Sequence, residues 1–372
     1  MLNVGLFLVM TGRRAGGPET YERCLVDALS RVDAQCNYHT YSLDPSAPGL
    51  LPAEGPRMRH RVLGPSFRVI STAITLPLAL LRDKVDLLHA PFTPPPFSTR
   101  PYVFTHHCFS SFNHPEFYAP DVLLRLNALI KRGLRSAVHT ICVSQCTLDM
   151  TADMFKLDRS RMSVVYNGVG PQYVPMDRGA AREAVAKRYG LNGPFYLYLG
   201  KIESRKNIIG LLRAFDRFRH EAQAPVTLVL AGRRSPMTHG IDDTIRALGL
   251  QNDVVEIGYA PDVDLPLLYN AAHAFVFASL WEGFGIPVVE AMACGTPVIT
   301  SNLSSLPEVA GDAALLVDPY KIDDIAAAML ALWKDPALRD SLRARGLVNA
   351  KRFSWEDAAR RTAAVYREAA NV

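Results

Sequence analysis

Residues 273 to 300, HAFVFASLWEGFGIPVVEAMACGTPVIT, narrow the folding choices of this chain more than any other stretch. Ala274 to Ala278 is wholly apolar, which suits a parallel strand covered on both faces. Glu282, Gly283, Phe284 and Gly285 then make a polar, glycine-rich corner. Pro287 fits the first turn of a short helix, where its missing N–H leaves no bond unmade. Gly295 ends that helix, and Thr296 to Thr300 reads as the next buried strand. Such a strand, loop, helix, strand unit places its loop at the carboxyl end of the strand, where open α/β sheets bind ligands. Bare glycines let a ligand approach the backbone, and the helix N-terminus beside them attracts anions.

Two carboxylates frame the corner, Glu282 in the loop and Glu290 about one turn into the helix, and both are expected to face one crevice. A carboxylate beside an anion-attracting helix end suits a ligand with phosphates and vicinal hydroxyls, because Glu accepts from ribose or sugar hydroxyls. Taken singly, either acid reads as a solvated surface group. A second cluster decides between these readings. Directly after an expected strand at 195–199 comes Gly200-Lys201-Ile202-Glu203-Ser204-Arg205-Lys206-Asn207. Three cations at a strand's carboxyl end, in the same sheet as the glycine corner, are able to neutralise a diphosphate without a metal. Alone, the cluster would be a charged turn opening a helix.

At 372 residues and 49% hydrophobic, the chain suits two domains rather than one core. Alternating strand and helix signals recur along it, with strands expected at 3–10, 38–43, 85–89, 102–105 and 140–144, and helices near 19–30, 66–82 and 121–136. A turn at Asn167-Gly168 and a polar, proline-containing segment at 170–180 mark a boundary. A second series follows, with strands at 195–199, 226–231, 254–257, 274–278, 298–300 and 314–317, and helices near 207–220, 241–248, 264–270 and 322–333. The expected architecture is α/β, two facing doubly wound Rossmann-like domains, 1–170 and 171–354, with ligands in the interdomain cleft. The last helix, 355–372, opens at Ser354, a fair N-cap.

No apolar run reaches the roughly 18 residues of a membrane-crossing helix, and Leu2 to Met10 lacks the flanks of a secretory leader. Six cysteines are scattered without paired spacing, so a reducing, cytoplasmic setting is expected. Residues 1–170 carry 18 Lys plus Arg against 13 Asp plus Glu, and the remainder 23 against 23, so the whole excess of +5 lies in the first half. That points to an anionic surface or acceptor near the first domain, or simply to solubility. Leu123 to Ala137 mixes apolar residues with Arg125, Lys131, Arg132 and Arg135, which suits peripheral contact with an anionic membrane, or a solvated basic face. No nucleic-acid partner is expected.

Glycines also mark the first βα turn, at Gly16 and Gly17, though without the Gly-x-Gly-x-x-Gly spacing of dinucleotide binders. At the end of a first-domain strand lies Thr105-His106-His107-Cys108, followed by His114. Neighbouring residues on an extended chain point to opposite faces, and the spacing matches no familiar zinc pattern, so no metal is expected. His107 is expected to contact the transferred group by hydrogen bond, with a packed structural histidine as the alternative.

Residues 280–319, LWEGFGIPVVEAMACGTPVITSNLSSLPEVAGDAALLVDP, resemble the Glu-x7-Glu signature of retaining glycosyltransferases of family 4, which have the GT-B fold. AGGPETYERCLVDAL, VDLLHAPFTPPP, VFTHHCFSSFNHPE, VVYNGV, YLGKIESRKN and IGYAPDVDLPLLYNAA match the family in order, so the resemblance spans nearly the whole chain. It implies that Glu290 holds the ribose and that Glu282 lies beside the donor sugar hydroxyls. Gly283, Phe284 and Gly285 would offer backbone amides to sugar and phosphates. Lys201 and Lys206 match the basic pair that holds the diphosphate, with Arg205 between them and Lys201 where the family often has Arg. Gly16 and Gly17 match the glycine loop that approaches the phosphates and the acceptor, and His107 the histidine near the donor sugar's primary hydroxyl. After that histidine the family commonly has Asp, where this chain has Cys108. By the same resemblance the helix 355–372 packs back on the first domain.

The expected function is therefore metal-independent, retaining transfer of a hexose from a nucleoside diphosphate sugar to a hydroxyl of a glycan or lipid-linked acceptor. No cofactor is implied beyond the sugar donor as co-substrate. GDP-mannose is the preferred donor, because YLGKIESRKN and HPEFY resemble bacterial mannosyltransferases, with a UDP-hexose as the alternative. A non-catalytic GT-B protein that binds nucleotide sugar or glycan, and a sugar-nucleotide epimerase, are the competing readings. A nicotinamide dehydrogenase fits worst, for want of the dinucleotide glycine spacing.

Overall fold

A computed structural model of the chain describes residues 1–65, 70–235 and 238–370. The chain divides into two compact units, one formed by Met1–Gly168 with Ser354–Val372 and the other by Val169–Phe353. The first contains β1 (Leu2–Leu8), β2 (Cys36–Ser42), β3 (Met58–Val62), β4 (Leu87–Ala90), β5 (Tyr102–His106), β6 (His139–Cys142) and β7 (Met162–Val164). They form one sheet in the order β3-β2-β1-β4-β5-β6-β7, with all pairs parallel. The second unit contains β8 (Phe195–Leu199), β9 (Thr227–Ala231), β10 (Val254–Gly258), β11 (Ala274–Phe277), β12 (Val298–Ser301) and β13 (Ala314–Val317). Their order is β10-β9-β8-β11-β12-β13, again all parallel. Both are the doubly wound α/β sheets expected from the sequence. Strand order reverses between β1 and β4 in one unit and between β8 and β11 in the other, and the crevice outside such a reversal is where ligands of these sheets bind.

Burial on both faces explains the unalternating strands. Ala274, Phe275, Val276 and Phe277 of β11 have no exposed surface, and each large apolar side chain so buried stabilises the fold by about 1.5–3 kcal/mol. In the first unit Phe7, Tyr41, Leu88, Tyr102 and Phe104 line one sheet face, where Leu76 and Leu80 of the helix Leu76–Arg82 and Ile130 and Leu134 of the helix Pro120–Ser136 cover them. The helices Gly17–Val32 and Trp355–Ala370 pack on each other, and the second of them on β4 and β6. At the start of β11, arginines answer the negative ends of three helices. Arg178 donates to the Ala272 carbonyl at 2.6 Å, Arg343 to Gly295 at 3.0 Å and Arg339 to Trp333 at 3.1 Å.

The differences from the sequence expectations have local causes. β3 reads Met58-Arg59-His60-Arg61-Val62 and is an edge strand, where charge discourages pairing with another chain, so it carries no apolar run. The helices Gln145–Phe155, Arg178–Tyr189 and Pro336–Ala350 were not anticipated, although Ser144, Asp177 and Asp335 each cap one by accepting from a backbone N–H. Of the expected helix at 66–82, residues 66–69 lie outside the described residues, 71–75 form a wider π turn and Leu76–Arg82 is α-helical. Residues 371–372 of the expected last helix also lie outside them. Among the described residues no helix is long and apolar enough to cross a membrane.

A buried polar relay fastens the last helix to the first sheet. His89, fully buried on β4, shares one hydrogen bond of 2.6 Å with the Tyr366 hydroxyl and another of 2.7 Å with Thr105. Burial pushes the His89 pKa down to about 3, so its ring is neutral and each nitrogen needs a partner. Replacing Tyr366 by Phe strands the Nδ1 atom and should destabilise the protein by about 1–3 kcal/mol in urea unfolding. An unchanged midpoint and slope would mean that the relay does not hold the helix.

Candidate active site

The carboxyl ends of β8 and β11 bring together the two clusters singled out in the second unit. After β8 the chain turns through Gly200 and Lys201 into a single helical turn, Ser204–Lys206, and then Asn207 in the left-handed region at φ 57°. Gly200 and Gly232 make this turn possible: both have positive φ, and a Cβ on Gly232 would lie 1.8 Å from the Gly200 carbonyl oxygen. Arg205 and Lys206 thereby reach across to the loop after β11. Arg205 Nη1 donates to the Trp281 carbonyl at 2.8 Å and to Glu282 Oε2 at 3.0 Å, and its Nη2 to Glu203 Oε1 at 2.7 Å. Lys206 Nζ bonds Glu282 Oε1 and lies 4.8 Å from the centre of the Phe277 ring. Lys201 Nζ is 3.2 Å from Glu203 Oε2.

This network alters the charge expected at the site. Lys201, Arg205 and Lys206 are brought together, but Glu203 and Glu282 already pair with them, leaving a balance of +1 in the ligand-free protein. Burial would raise the Glu282 pKa, yet Arg205 and Lys206 hold it below the ordinary carboxylate range. Burial lowers that of Lys206, opposed by the same carboxylate. Any anion that entered here would compete with Glu203 and Glu282 for these cations.

Glu290 has different surroundings from Glu282. It sits in the helix Ile286–Ala293, buried, and Tyr269 donates to its Oε2 at 2.9 Å while Tyr173 makes a further hydrogen bond. With no cation among these partners, burial pushes its pKa up to about 7. Between the two acids, Gly285 has φ 106°, and a Cβ there would meet Leu306 Cδ2 at 2.7 Å, so glycine is required on both counts. Ser305 holds the corner by donating to the carbonyls of Glu282 and Phe284, and Ser304 accepts from the Glu282 N–H at 3.0 Å. Phe284 is buried, its ring 5.4 Å from that of Phe353, and Gly283 lies within this corner.

In the first unit the loop after β1 is held by two acids of the following helix. Glu22 accepts from the N–H groups of Val9, Met10 and Thr11 at 3.0, 2.9 and 2.8 Å and from the Thr11 hydroxyl at 2.8 Å. Burial pushes its pKa up to about 7 against those four bonds. Glu19 accepts from Gly12 and Ala15. The loop so fixed ends in Gly16, at φ 68° and ψ −134°, and Gly17, and a Cβ on either would find nothing within 4 Å. His107 follows β5. Its Nε2 lies 2.6 Å from the Pro91 carbonyl and its ring 4.5 Å, edge to face, from Tyr21. A carbonyl only accepts, so Nε2 carries the hydrogen and Nδ1 the lone pair. Burial lowers the pKa to about 4, which leaves a neutral ring suited to accepting a hydroxyl hydrogen.

His106 turns away from His107 to Thr151, at 3.0 Å, and His114 pairs with Glu116. Among the described residues no group of three or more His, Cys, Asp or Glu is placed to hold a metal ion. The sequence reading missed Glu19, Glu22, Tyr173, Tyr269, Ser304 and Ser305. Only the first two carried a local signal, acids in the opening turns of a helix that follows glycines.

A model of glycosyl transferases group 1 matches residues 182–347, and a glycosyltransferase family 4 model matches residues 15–173. O-antigen chain mannosyltransferase B of Escherichia coli is 35% identical over 289 residues, 77% of this chain and 76% of that protein. The chain belongs to glycosyltransferase family 4. A serotype-specific mannosyltransferase of Escherichia coli is 32% identical over 66% of this chain, which spans only 30% of that longer protein. Among solved structures, sucrose-phosphate synthase from Thermosynechococcus elongatus superposes with a TM-score of 0.80 at 23% identity, covering 99% of each chain. The fold is accordingly GT-B, and the chain is a glycosyltransferase that uses a nucleotide-sugar donor.

Gly17 allows structure and chemistry to be separated. Because a methyl group there meets open space, at no positive φ, Gly17→Ala should leave the melting temperature within about 2 °C of wild type, the stability change being under about 1 kcal/mol. If the loop approaches the phosphates or the acceptor, the same variant raises a Michaelis constant severalfold. Wild-type kinetics in this family 4 enzyme would remove Gly17 from the site.

Proposed function

We propose that the chain transfers mannose from GDP-mannose to a hydroxyl of a growing glycan or lipid-linked acceptor, with retention at the anomeric carbon and without a metal. A UDP-hexose is the alternative donor. The observation that carries the reading is the meeting of the partly buried Lys206 and Arg205 with the buried Glu282 at the β8 and β11 ends, one corner away from Glu290. The mannosyltransferase relatives support the choice of sugar, and their O-antigen names support a polysaccharide product. Glu290 accepts from the ribose hydroxyls, Glu282 from the donor sugar, and the amides of Gly283, Phe284 and Gly285 face sugar and phosphate. Lys201, Arg205 and Lys206 receive the diphosphate, Gly16 and Gly17 leave room for phosphates and acceptor, and His107 Nδ1 accepts from the sugar's primary hydroxyl.

On this reading the bond from the anomeric carbon to the diphosphate breaks, and the acceptor oxygen bonds to the same face of that carbon. The departing phosphate oxygen takes the acceptor proton. Lys201, Lys206 and the helix end stabilise the charge gathering on the leaving group, and that stabilisation grows towards the transition state. Peripheral contact with an anionic membrane through the basic helix Pro120–Ser136 brings the enzyme to a lipid-linked acceptor.

The deciding experiment is transfer from GDP-mannose to a mannose-terminated acceptor by purified protein in the presence of a chelator, with the product anomer read by NMR. An α-linked product is expected. Lys206→Ala should lower turnover roughly a hundredfold while changing the donor Michaelis constant much less. The opposite split, normal turnover with a raised constant, would reject leaving-group stabilisation, and inversion would reject the mechanism.

Glu290 supplies a pH signature. Its pKa is raised to about 7 in the free protein, so the proton is on below that pH and off above it. Ribose hydroxyls donate best to the ionised form, so GDP affinity by calorimetry should be level above about pH 8. Below pH 7 it should weaken by up to about tenfold per unit. Glu290→Gln should bind more weakly than wild type above about pH 8, lose the part of the slope that Glu290 supplies, and approach the wild-type affinity at low pH. A variant that keeps the slope would refute the ribose assignment.

A further inference from the structure

One helix of the first unit is apolar on both of its sides. Leu76, Ala79 and Leu80 face the sheet. Ile70, Ile74, Leu78 and Leu81, spaced as one outward stripe, are 43%, 55%, 61% and 47% exposed. A helix that is hydrophobic all round belongs inside a larger structure or against a membrane or partner, not in water. The segment Ser71–Arg82 also contains no acidic residue. The loop at 91–100 extends this surface. Thr99 donates to the Pro77 carbonyl, Pro94 lies where a Cβ on Gly133 would clash, and Phe97 between them is 54% exposed. Gly133 belongs to the helix Pro120–Ser136, whose inner residues Ile130 and Leu134 enter the same core as Leu76 and Leu80. The outer sides of both helices therefore lie on one face of the unit. On the second helix that face shows Leu124, 76% exposed, together with exposed Arg125, Lys131, Arg132 and Arg135 and one exposed acid, Asp121, in the first turn.

We propose that this face is a bilayer-docking surface, in which Ile70, Ile74, Leu78, Leu81, Phe97 and Leu124 enter the interfacial zone of an anionic membrane while the arginines and lysine of the second helix meet lipid phosphates. It gives a place to the membrane contact of the proposed function and rests on that reading. Charge selects the occupant. A second copy seated on the same face would bring four cations and a single acid against the same set, a net repulsion, whereas an anionic bilayer offers apolar depth and negative headgroups together. Insertion needs no rearrangement, since the stripe is already outward. None of these residues belongs to the candidate active site.

Flotation of the full chain with vesicles of phosphatidylcholine, alone or mixed with phosphatidylglycerol, tests the surface. Binding is expected only to the mixed vesicles and should fall as salt rises. Ile74→Glu with Leu78→Glu, and separately Arg125→Glu with Arg132→Glu, should each weaken it by roughly tenfold or more at an unchanged melting temperature. No binding to either vesicle, or equal binding by both variants and wild type, overturns the proposal. So does a dimer in light scattering that the Ile74 and Leu78 changes dissociate, which would assign the stripe to a second copy. Transfer to a short water-soluble acceptor, measured on the same variants, should stay at the wild-type rate. Vesicle binding without transfer from any nucleotide sugar would sink the enzymatic reading and leave the docking surface standing.

Discussion

The second unit is organised around a largely shielded ion pair, Lys206 with the buried Glu282, that no consideration of stability alone would select. Removing an ammonium and a carboxylate from water costs several kcal/mol each, and their attraction offsets this only with good geometry and further hydrogen bonds. Those are present: Arg205 completes the carboxylate, the Trp281 carbonyl and Glu203 complete Arg205, and Ser304 and Ser305 hold the turn in which Glu282 sits. The loops after β8 and β11 are thus one electrostatic unit across the strand-order reversal. On the proposed reading the carboxylates keep the diphosphate cations assembled while no ligand is bound, and a donor replaces one anion by another without reorganising the loops.

The first unit solves the same problem without side-chain cations. Its loop after β1 is held by backbone N–H groups that converge on Glu22 and Glu19, and its histidine is neutral and fixed by a backbone carbonyl. One unit therefore presents a network of paired charges, and the other a loop that carries the exposed Arg13 and Arg14 and has open space beside Gly16 and Gly17.

Legibility in the sequence followed the range of the interactions. Strands of the second unit were readable because burial on both faces demands unbroken apolar runs, as in 274–278. β3 was not, because an edge strand is better served by Arg59 and Arg61 than by an apolar pattern. The corner at Gly283 to Gly285 was readable from glycine, since only glycine tolerates φ 106° against Leu306. The unlike states of the two glutamates were not. Glu282 differs from Glu290 through Lys206 and Arg205 on one side and Tyr173 and Tyr269 on the other, partners far apart in the chain that only the fold brings close. Glu203 stands in the same turn as the three cations, but that it pairs with Lys201 and Arg205 depends on how the turn folds.

Cys108 is where the chain departs from the family pattern, and its surroundings limit what that departure changes. Its sulfur accepts from the Ser110 N–H at 3.3 Å, the position from which a carboxylate would hold the same turn more strongly. The adjacent His107 takes its tautomer from the Pro91 carbonyl and its ring orientation from Tyr21 and Phe92. Tyr21 in turn is anchored through Thr105 to His89 and Tyr366. Orientation of the histidine therefore passes through strand ends and the last helix, not through residue 108. A thiol at that position holds the turn less strongly than a carboxylate would and puts no negative charge beside the histidine, but it leaves intact the neutral acceptor nitrogen that hydroxyl recognition would use on the proposed reading.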